Sequence, residues 1–428
     1  MIGWPYRAPR LFGAFVLTAV LASAGPPAWA AAPADLELRP PNLKPAPKSV
    51  EAGMWDDSDR AEAHTRIAAE LDTDPALQAY VRGVFCKIAA DYCGEARVYV
   101  LDRPFLNATC FPNGYVEVWS GLLLRAQTEG QLAYVVGHEV SHFARNHSLS
   151  KWNHDKTTRD VATVLTVGVQ AGAMFGMVKV AQSGAPNSRQ MIDDISDMAQ
   201  NLNDLIYLGA MAHIMAYSRE HENEADRLGF QRAVAAGYEK STGPDMWTGT
   251  IAESRASDFA AVRKADVRAS IYRTHPLDQD RIDALKAQGG VVAAPDIDAR
   301  KRYRAAIRGH LGSWLKDDLR RRDDGQTLFL IDRLSEVGED FGVLQFYRGE
   351  AYRQRRHDGD APLALAAYKT AVGYPDAPVA AWRELGEALR RAGDKPAAAE
   401  AFETYLAKAP DAEDRWLVEA SLKTVKGA

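Results

Sequence analysis

Three absences narrow the classes of protein to which this 428-residue chain can belong. It has only three cysteines, and none has the Cys-x-x-Cys spacing of a sulfur-ligated zinc site. Its formal net charge is −5 and no basic face stands out, which excludes nucleic acid as a partner. It also lacks an uninterrupted apolar run of the ~20 residues that a membrane-spanning helix needs.

The first thirty residues have the pattern of a cleaved export signal. Arg7 and Arg10 precede the apolar run LFGAFVLTAVLASA, and Ala28 and Ala30 supply the small residues that signal peptidase requires. The apolar run is too short for a membrane anchor. We expect a signal peptide over 1–30, cleaved near Ala30, and a periplasmic mature protein.

The cysteines leave the disulfide pairing open among Cys86, Cys93 and Cys110. An exported protein meets an oxidising compartment in which one pair could close. Within one continuous helix, Cys86 and Cys93 would be ~10 Å apart along the axis, which is beyond disulfide reach. Their pairing therefore requires the helix to end near Gly94.

The pattern of apolar residues predicts a mainly α fold of the α+β type with a small β-sheet. An Ala- and Pro-rich leader over 31–55 precedes a helical segment, and two strand-like runs follow, ARVYVL and GYVEVWS. A long helix is expected from about Glu129 to Ser148, with a capping-box pattern at Thr128 and Gln131.

Residues 161–178 carry no charge and place three glycines four positions apart. Such spacing lets helices approach closely, in a membrane or in a soluble core. We expect a buried or site-covering helix, and we keep peripheral membrane contact or insertion as the alternative.

The C-terminal part is predicted to be a helical repeat domain over 300–428. WRELGEALRRAGDKPAAAEAFETYLAKAP has the offsets of a tetratricopeptide repeat. The preceding segment aligns with it, Gly349 with Gly386 and Tyr368 with Phe402, if its loop holds three extra residues. So short an array should dock on the preceding domain.

The stretch GHEVSHFARNH, residues 137–147, contains an HExxH pattern on the long helix. Residues four apart share a helix face, so His138 and His142 can present two imidazoles to one metal ion. Neutral imidazoles anchor Zn²⁺, and a neighbouring carboxylate takes the proton of an attacking water. The pattern predicts one zinc ion per chain and Glu139 as general base.

His147 is predicted to lie away from the metal. On a continuing helix it is rotated about 140° from His142, and the spacing and glycine of a metzincin third ligand are missing. We expect a surface or supporting position for it.

The third ligand is expected in AYSREHENEADRLG, residues 216–229, which offers three glutamates. Glu222 shares a helix face with mostly small residues, which would let this helix lie close to the first, whereas Glu220 and Glu224 fall on other sectors. Glu222 is therefore the predicted ligand. Asp226, one turn later, is the predicted supporting carboxylate that orients a ligand histidine.

With these motifs the chain resembles the zinc metallopeptidases of the HtpX and CAAX prenyl protease family, which are gluzincins, and in particular their exported, BepA-like branch with C-terminal repeats. The resemblance covers roughly residues 50–290 through NATCFPNGYVEVWSGLLLRAQTEGQLAYVVGHEVSHFARNH, YSREHENEADRLG and THPLDQDRI. It implies zinc on His138, His142 and Glu222.

The resemblance also implies roles for residues outside the ligand set. His275 and Arg281 match a histidine and an arginine that follow the site in the family, so both are predicted catalytic residues. His275 would stabilise an oxyanion, or occupy the metal's open position and hold the enzyme latent. The segment from Asn107 to Trp119 would form an edge strand for an extended peptide, with Asn107 and Ala108 as substrate-binding residues.

Taken together, the motifs predict a zinc metallopeptidase domain over 56–292 followed by the repeat domain. By the resemblance, the expected function is that of an exported metalloendopeptidase acting on misfolded or stalled envelope proteins, in outer-membrane protein quality control. Its repeats would contact the outer-membrane assembly machinery. The alternatives are a chaperone or adaptor that acts through its repeats with a mostly closed zinc site, and a membrane-embedded peptidase.

Overall fold

A computed structural model describes most of the chain beyond the predicted signal peptide. The described ranges are 38–154, 217–264, 279–289 and 296–427, with a few short helical pieces between 174 and 195. The predicted signal peptide, most of the uncharged run over 161–178, and His275 lie outside these residues.

The N-terminal half combines a small sheet with nine helices whose bounds lie within the described residues. Hydroxyl or carboxylate side chains at Ser49, Asp74, Thr128 and Ser218 accept a backbone N–H at the start of four of them, as helix N-caps do. In chain order the elements are α1 (Val50–Thr65), α2 (Pro75–Ile88), β1 (Arg97–Leu101), β2 (Ala108–Cys110), β3 (Tyr115–Trp119), α3 (Ser120–Arg125), α4 (Glu129–Ala144), α5 (His147–His154), α6 (Arg219–Ala235), α7 (Thr242–Arg255), α8 (Ala260–Lys264) and α9 (Gln279–Ala287).

The sheet has three strands in the order β1-β3-β2, with β1 parallel and β2 antiparallel to β3. Its two longer strands coincide with the two predicted strand runs. The segment from Asn107 to Trp119 was predicted to be an edge strand, and this is right only for β2. β3 lies in the middle of the sheet, because the turn between the two strands folds it back alongside β1.

Helix α4 ends four residues earlier than the sequence predicts. Thr128 caps its start through the N–H of Gln131, but the helix stops at Ala144 rather than near Ser148. Asn146 takes a left-handed conformation with φ 51°, and a new helix, α5, begins at His147. The prediction of one continuing helix was wrong, because an asparagine tolerates the left-handed conformation that terminates helices.

Helices α4 and α6 cross at two glycines. A Cβ atom on Gly229 would lie only 2.7 Å from the backbone nitrogen of His138, and a Cβ on Gly137 would lie 3.2 Å from the carbonyl oxygen of Gly229. The backbones can approach this closely because neither residue has a side chain. This crossing puts the α6 carboxylates beside the α4 histidines.

The C-terminal half is a row of helices joined by short turns. Gly349 faces the ring of Tyr368, and Gly386 faces the ring of Phe402 in the same way, so a Cβ atom on either glycine would overlap the ring. The two hairpins are thus equivalent at the positions that the sequence alignment matched, while their assignment to tetratricopeptide repeats stays a prediction. The elements are α10 (Ile297–Ile307), a 3₁₀ turn (Arg308–His310), α11 (Leu311–Arg320), α12 (Asp324–Ser335), α13 (Phe341–Arg355), α14 (Asp360–Ala371), α15 (Ala380–Ala392), α16 (Lys395–Lys408) and α17 (Arg415–Lys426).

The two halves are joined by buried polar contacts. The Arg125 guanidinium on α3 lies 2.8 Å from Glu253 on α7 and 2.6 Å from Asp318 on α11, and all three side chains are buried. The indole N–H of Trp314 donates to Asp102 at 2.7 Å. From Arg39 onward the described residues accordingly belong to one compact unit, and the C-terminal helices dock on the preceding domain.

Cys86 and Cys93 form a disulfide with their Cα atoms 4.8 Å apart. The pairing is geometrically allowed because α2 ends at Ile88, between the two cysteines. Cys110 is a buried free thiol. Within the described part of the chain, no helix combines the length and the apolar composition needed to cross a membrane.

Candidate metal centre

Three buried side chains converge where α4 crosses α6. His138 and His142 lie one turn apart on α4, and Glu222 lies in the first turn of α6. The two histidine Nε2 atoms are 3.1 Å apart, and each lies 3.5 Å from a carboxylate oxygen of Glu222. The structure therefore brings together the three residues that the sequence predicted as ligands.

The donor set fits a zinc ion. In a tetrahedral site with bonds of about 2.0–2.1 Å, the ligand atoms lie about 3.3 Å from one another, and the separations found here bracket that value. Two imidazole nitrogens and one carboxylate are also the donors of catalytic zinc sites that leave a position open. His138, His142 and Glu222 would hold the ion.

The electrostatics of the site favour a cation. Burial alone would lower the pKa of His138, but hydrogen bonding and charge from Asp226 and Glu222 raise it to about 9. The carboxylates thus stabilise a positive charge in a buried place where it would otherwise be costly. The same carboxylates would stabilise a divalent cation.

Asp226 supports His138 from behind. One carboxylate oxygen of Asp226 lies 2.9 Å from His138 Nδ1, the ring nitrogen that faces away from Glu222. Tyr134 and Trp247 also donate to this carboxylate, at 2.7 and 3.3 Å. Burial would raise the pKa of Asp226, but the Arg281 charge outweighs it and holds that pKa well below its usual range. The carboxylate is therefore ionised and keeps the His138 ring in one orientation.

Arg281 on α9 is buried against the same carboxylates. Its Nε donates to Asp226 at 2.6 Å, and its Nη1 lies 2.8 Å from Glu222. Burial lowers the pKa of the guanidinium, but Asp226 and Glu222 raise it more. The predicted catalytic role of Arg281 stays a prediction, and its contacts are those of a residue that orients Glu222 and Asp226.

His147 lies against His142, contrary to the expectation from a continuing helix. The left-handed turn at Asn146 returns the chain, so that His147 Nδ1 lies 2.9 Å from His142 Nδ1. His147 is 2% exposed, which excludes the surface alternative. Its other ring nitrogen lies 3.0 Å from Glu224, a residue that the sequence pattern left without a role.

Glu139 is buried beside the site, on the helix that carries both histidines. Burial raises the pKa of the Cys110 thiol, and the nearby charge of Glu139 raises it further. Burial raises the pKa of Tyr217 as well, with Glu139 among the other causes. The charge of Glu139 therefore acts on both Cys110 and Tyr217.

Comparison with known proteins agrees with this geometry. A model of the family described as Peptidase family M48 matches residues 72–288, just over half of the chain. The chain belongs to peptidase family M48. The matched range of this M48 peptidase begins before α2 and ends after α9, so it contains His138, His142, Glu222 and Arg281.

Curated relatives of this M48 chain carry protease names. A beta-barrel assembly-enhancing protease of Yersinia pestis is 23% identical over 303 residues, which are 68% of this chain and 56% of the relative. A Vibrio cholerae relative, also named for beta-barrel assembly enhancement, is 28% identical over 212 residues, 49% of this chain and 38% of that protein. The mitochondrial metalloendopeptidase OMA1 of Bos taurus is 27% identical over 151 residues, 35% of this chain and 25% of the relative. The chain thus spans only part of the length of these relatives.

Sequence reasoning about this M48 site missed two neighbours of His142. The Tyr217 ring stacks on the His142 ring with centroids 3.8 Å apart, and His147 joins His142 to Glu224. Asn146 was the available signal for His147, because asparagine tolerates the left-handed conformation that ends helices. Tyr217 carried no comparable signal, since only the packing of α6 against α4 brings it there.

Proposed function

We propose that the chain is a zinc-dependent metalloendopeptidase. The observation that carries the proposal is the buried set of His138, His142 and Glu222, with the buried Glu139 next to His138 on α4. A bound zinc ion would supply Lewis acidity toward a peptide carbonyl and would lower the pKa of a water molecule to near neutrality.

The side chains around the metal have separate roles in the reaction. Glu139 accepts the proton of the attacking water and returns it to the departing amine, which is the work of a general base and then a general acid. Asp226 holds the His138 ring in place, and Arg281 holds Glu222 and Asp226. The buried position of these groups excludes bulk water and strengthens each charge interaction.

An extended peptide would bind along β2. Asn107 and Phe111 pair with β3 through the bonds Trp119 N–H to Asn107 C=O and Phe111 N–H to Tyr115 C=O. In an antiparallel pair alternate residues turn away from the partner strand, so the backbone groups of Ala108 and Cys110 face the other edge. Among the predicted substrate-binding residues, Ala108 rather than Asn107 turns its backbone groups away from β3, and it is 3% exposed in the absence of a peptide.

The physiological proposal is removal of misfolded or stalled proteins of the bacterial envelope, in outer-membrane protein quality control. It rests on the names of the relatives, which refer to beta-barrel assembly, and on the predicted export signal. Strand addition fits this role because backbone pairing tolerates many sequences. The C-terminal hairpins would contact the assembly machinery.

The test of the activity is cleavage of casein by the purified protein, with and without a chelator. Glu139→Gln should retain zinc and lose cleavage by about 10²-fold or more. Glu220→Gln changes an exposed glutamate of α6 and should cleave like the wild type. The protease proposal fails if zinc-loaded wild type cleaves nothing while Glu139→Gln supports envelope function in cells, and the adaptor alternative then takes its place.

The substrate edge has its own test. Ala108→Pro removes a backbone N–H that β3 does not use, and proline is tolerated on an edge strand. We expect a raised KM for casein with unchanged zinc content. A variant with the wild-type KM would show that peptides bind elsewhere.

Latency is the remaining part of the proposal. By family resemblance, His275 would block the metal at rest. His275→Ala should therefore cleave casein faster than wild type, and an activity no higher than that of wild type would contradict a blocking role.

A further inference from the structure

The two histidines of the metal site are supported in different ways. Asp226 lies directly behind His138, at 2.9 Å from its Nδ1. His142 has another imidazole in the corresponding place, because its Nδ1 faces His147 Nδ1 at 2.9 Å. The carboxylate behind His142 is Glu224, one residue further out, at 3.0 Å from His147 Nε2.

The direction of the protons in this chain of contacts follows from the geometry. If His142 offers Nε2 to a metal, that nitrogen carries no proton, and its Nδ1 carries the proton instead. His142 Nδ1–H then donates to His147 Nδ1, which must accept. His147 Nε2–H in turn donates to the Glu224 carboxylate. Each of the four ring nitrogens then binds the metal, donates or accepts.

Other residues hold the outer end of these contacts in place. Arg145 donates from Nε to Glu224 at 2.9 Å. The His221 ring stacks on His147 with centroids 4.2 Å apart. His147 is therefore fixed both in its ring plane and along its hydrogen bonds.

The backbone path at Asn146 also favours the contact between His147 and His142. A helix continuing past Ala144 would turn His147 away from His142. The left-handed conformation of Asn146, with φ 51°, brings it back. Such conformations are uncommon outside glycine and are retained where the surrounding structure requires them.

We propose that His147 is a positioning residue of the metal site, which relays the Glu224 carboxylate to His142 and holds the His142 ring in the tautomer that binds zinc through Nε2. The proposal rests on the proposed zinc function. It predicts that the nitrogens of His147, and not merely its volume, set the zinc affinity.

The test compares His147→Leu, His147→Asn and a distant control in the full-length protein. Leucine keeps much of the volume but has no nitrogen. Asparagine places an oxygen near the position of Nδ1, where it can accept from His142. His310→Leu removes a partly exposed histidine that contacts Asp74 and stacks on Trp314, away from the site.

Zinc affinity is measured by competition with a chromophoric chelator, and the absorption spectrum of the cobalt-substituted protein reports the ligand field. We expect about 10- to 100-fold weaker zinc binding for His147→Leu, the range found for outer-shell partners of metal ligands. His147→Asn should recover part of the loss, and His310→Leu should bind zinc like wild type. The cobalt spectrum should change for His147→Leu and less for His147→Asn.

The outcomes separate this proposal from the proposed function. Zinc affinity and a cobalt spectrum of His147→Leu equal to those of wild type would overturn the relay and leave the peptidase intact. Equal losses in the Leu and Asn variants, with a matching fall in the melting temperature of the metal-free protein, would show a packing role and also overturn it. A wild-type protein that binds no zinc would overturn both proposals.

Discussion

The crossing of α4 and α6 at Gly137 and Gly229 makes a sharp prediction for Gly229→Ala. The new Cβ atom would lie 2.7 Å from the backbone nitrogen of His138, 2.9 Å from the Cα atom of His138 and 3.1 Å from the carbonyl carbon of Gly137. Carbon contacts are comfortable at about 3.5–4.0 Å. Because the obstacle is backbone, which cannot rotate away, α6 must move outward by roughly 0.5–1 Å to restore contacts of that length.

Two opposing effects determine the stability of Gly229→Ala. In a helix interior, alanine is favoured over glycine by about 1 kcal/mol. Overpacking against a fixed neighbour costs about 1–3 kcal/mol, and the backbone contact should make this cost exceed the gain in helix propensity. We expect a net loss of stability, together with weaker zinc binding, because Glu222 moves with α6 away from the α4 histidines.

The matched control is Gly83→Ala on α2. Gly83 also lies inside a helix, but nothing lies within 4 Å of its Cβ position. Only the gain in helix propensity applies there, so this variant should be unchanged or more stable by up to about 1 kcal/mol. Urea denaturation of the metal-free proteins and zinc titration measure both effects. If Gly229→Ala matches Gly83→Ala in stability and wild type in zinc affinity, the close crossing does not set the site geometry.

Three further predictions concern the C-terminal helices and their junction with the rest of the chain. Burial and the charge of Asp258 raise the pKa of Asp324 from 3.8 to about 6. Since the folded form binds the proton more tightly than the unfolded form, stability is lost as the pH rises from about 4 through 6. Asp324→Asn should therefore raise the melting temperature at pH 7.5 but not at pH 4, and an effect that does not depend on pH would contradict this. Gly386→Ala should destabilise its hairpin by about 1–3 kcal/mol, because the new methyl overlaps the Phe402 ring, and a denaturation midpoint equal to that of wild type would rule the overlap out. Arg125→Met removes the guanidinium that Glu253 and Asp318 share and leaves Arg321 as their cationic partner, at 3.8 and 2.9 Å. It should cost about 3 kcal/mol in urea denaturation, the low end for removing one partner from a buried ion pair; a loss below about 1 kcal/mol would show that the junction does not depend on Arg125.

The local patterns predicted much of the fold because they depend on near neighbours. The capping pattern at Thr128 placed the start of α4, and alternating apolar residues placed β1 and β3. The alignment of Gly349 with Gly386 anticipated two hairpins with the same packing. The end of α4 was missed, because the choice between continuing and turning at Asn146 depends on what the next residues contact.

The metal site likewise combines local features that the sequence predicts with long-range contacts that it does not. The i, i+4 spacing of His138 and His142 follows from helix geometry, so the sequence alone placed both on one face. The sequence could single out Glu222 among three glutamates through the small residues on its face. It could not assign Glu224, because that residue acts through His147, and the contact exists only after the chain turns at Asn146.

What the sequence by itself determined was a mainly helical chain with an HExxH pair and a ligand glutamate in a later helix, because residue type and helical period are local properties. What only the tertiary structure decided was how these groups are held. The glycine crossing sets the distance between α4 and α6. Arg281 joins Glu222 to Asp226, and a left-handed turn brings His147 to His142. These are contacts between residues far apart in the chain or across a break in a helix, and they depend on side-chain volume and backbone path rather than on periodicity.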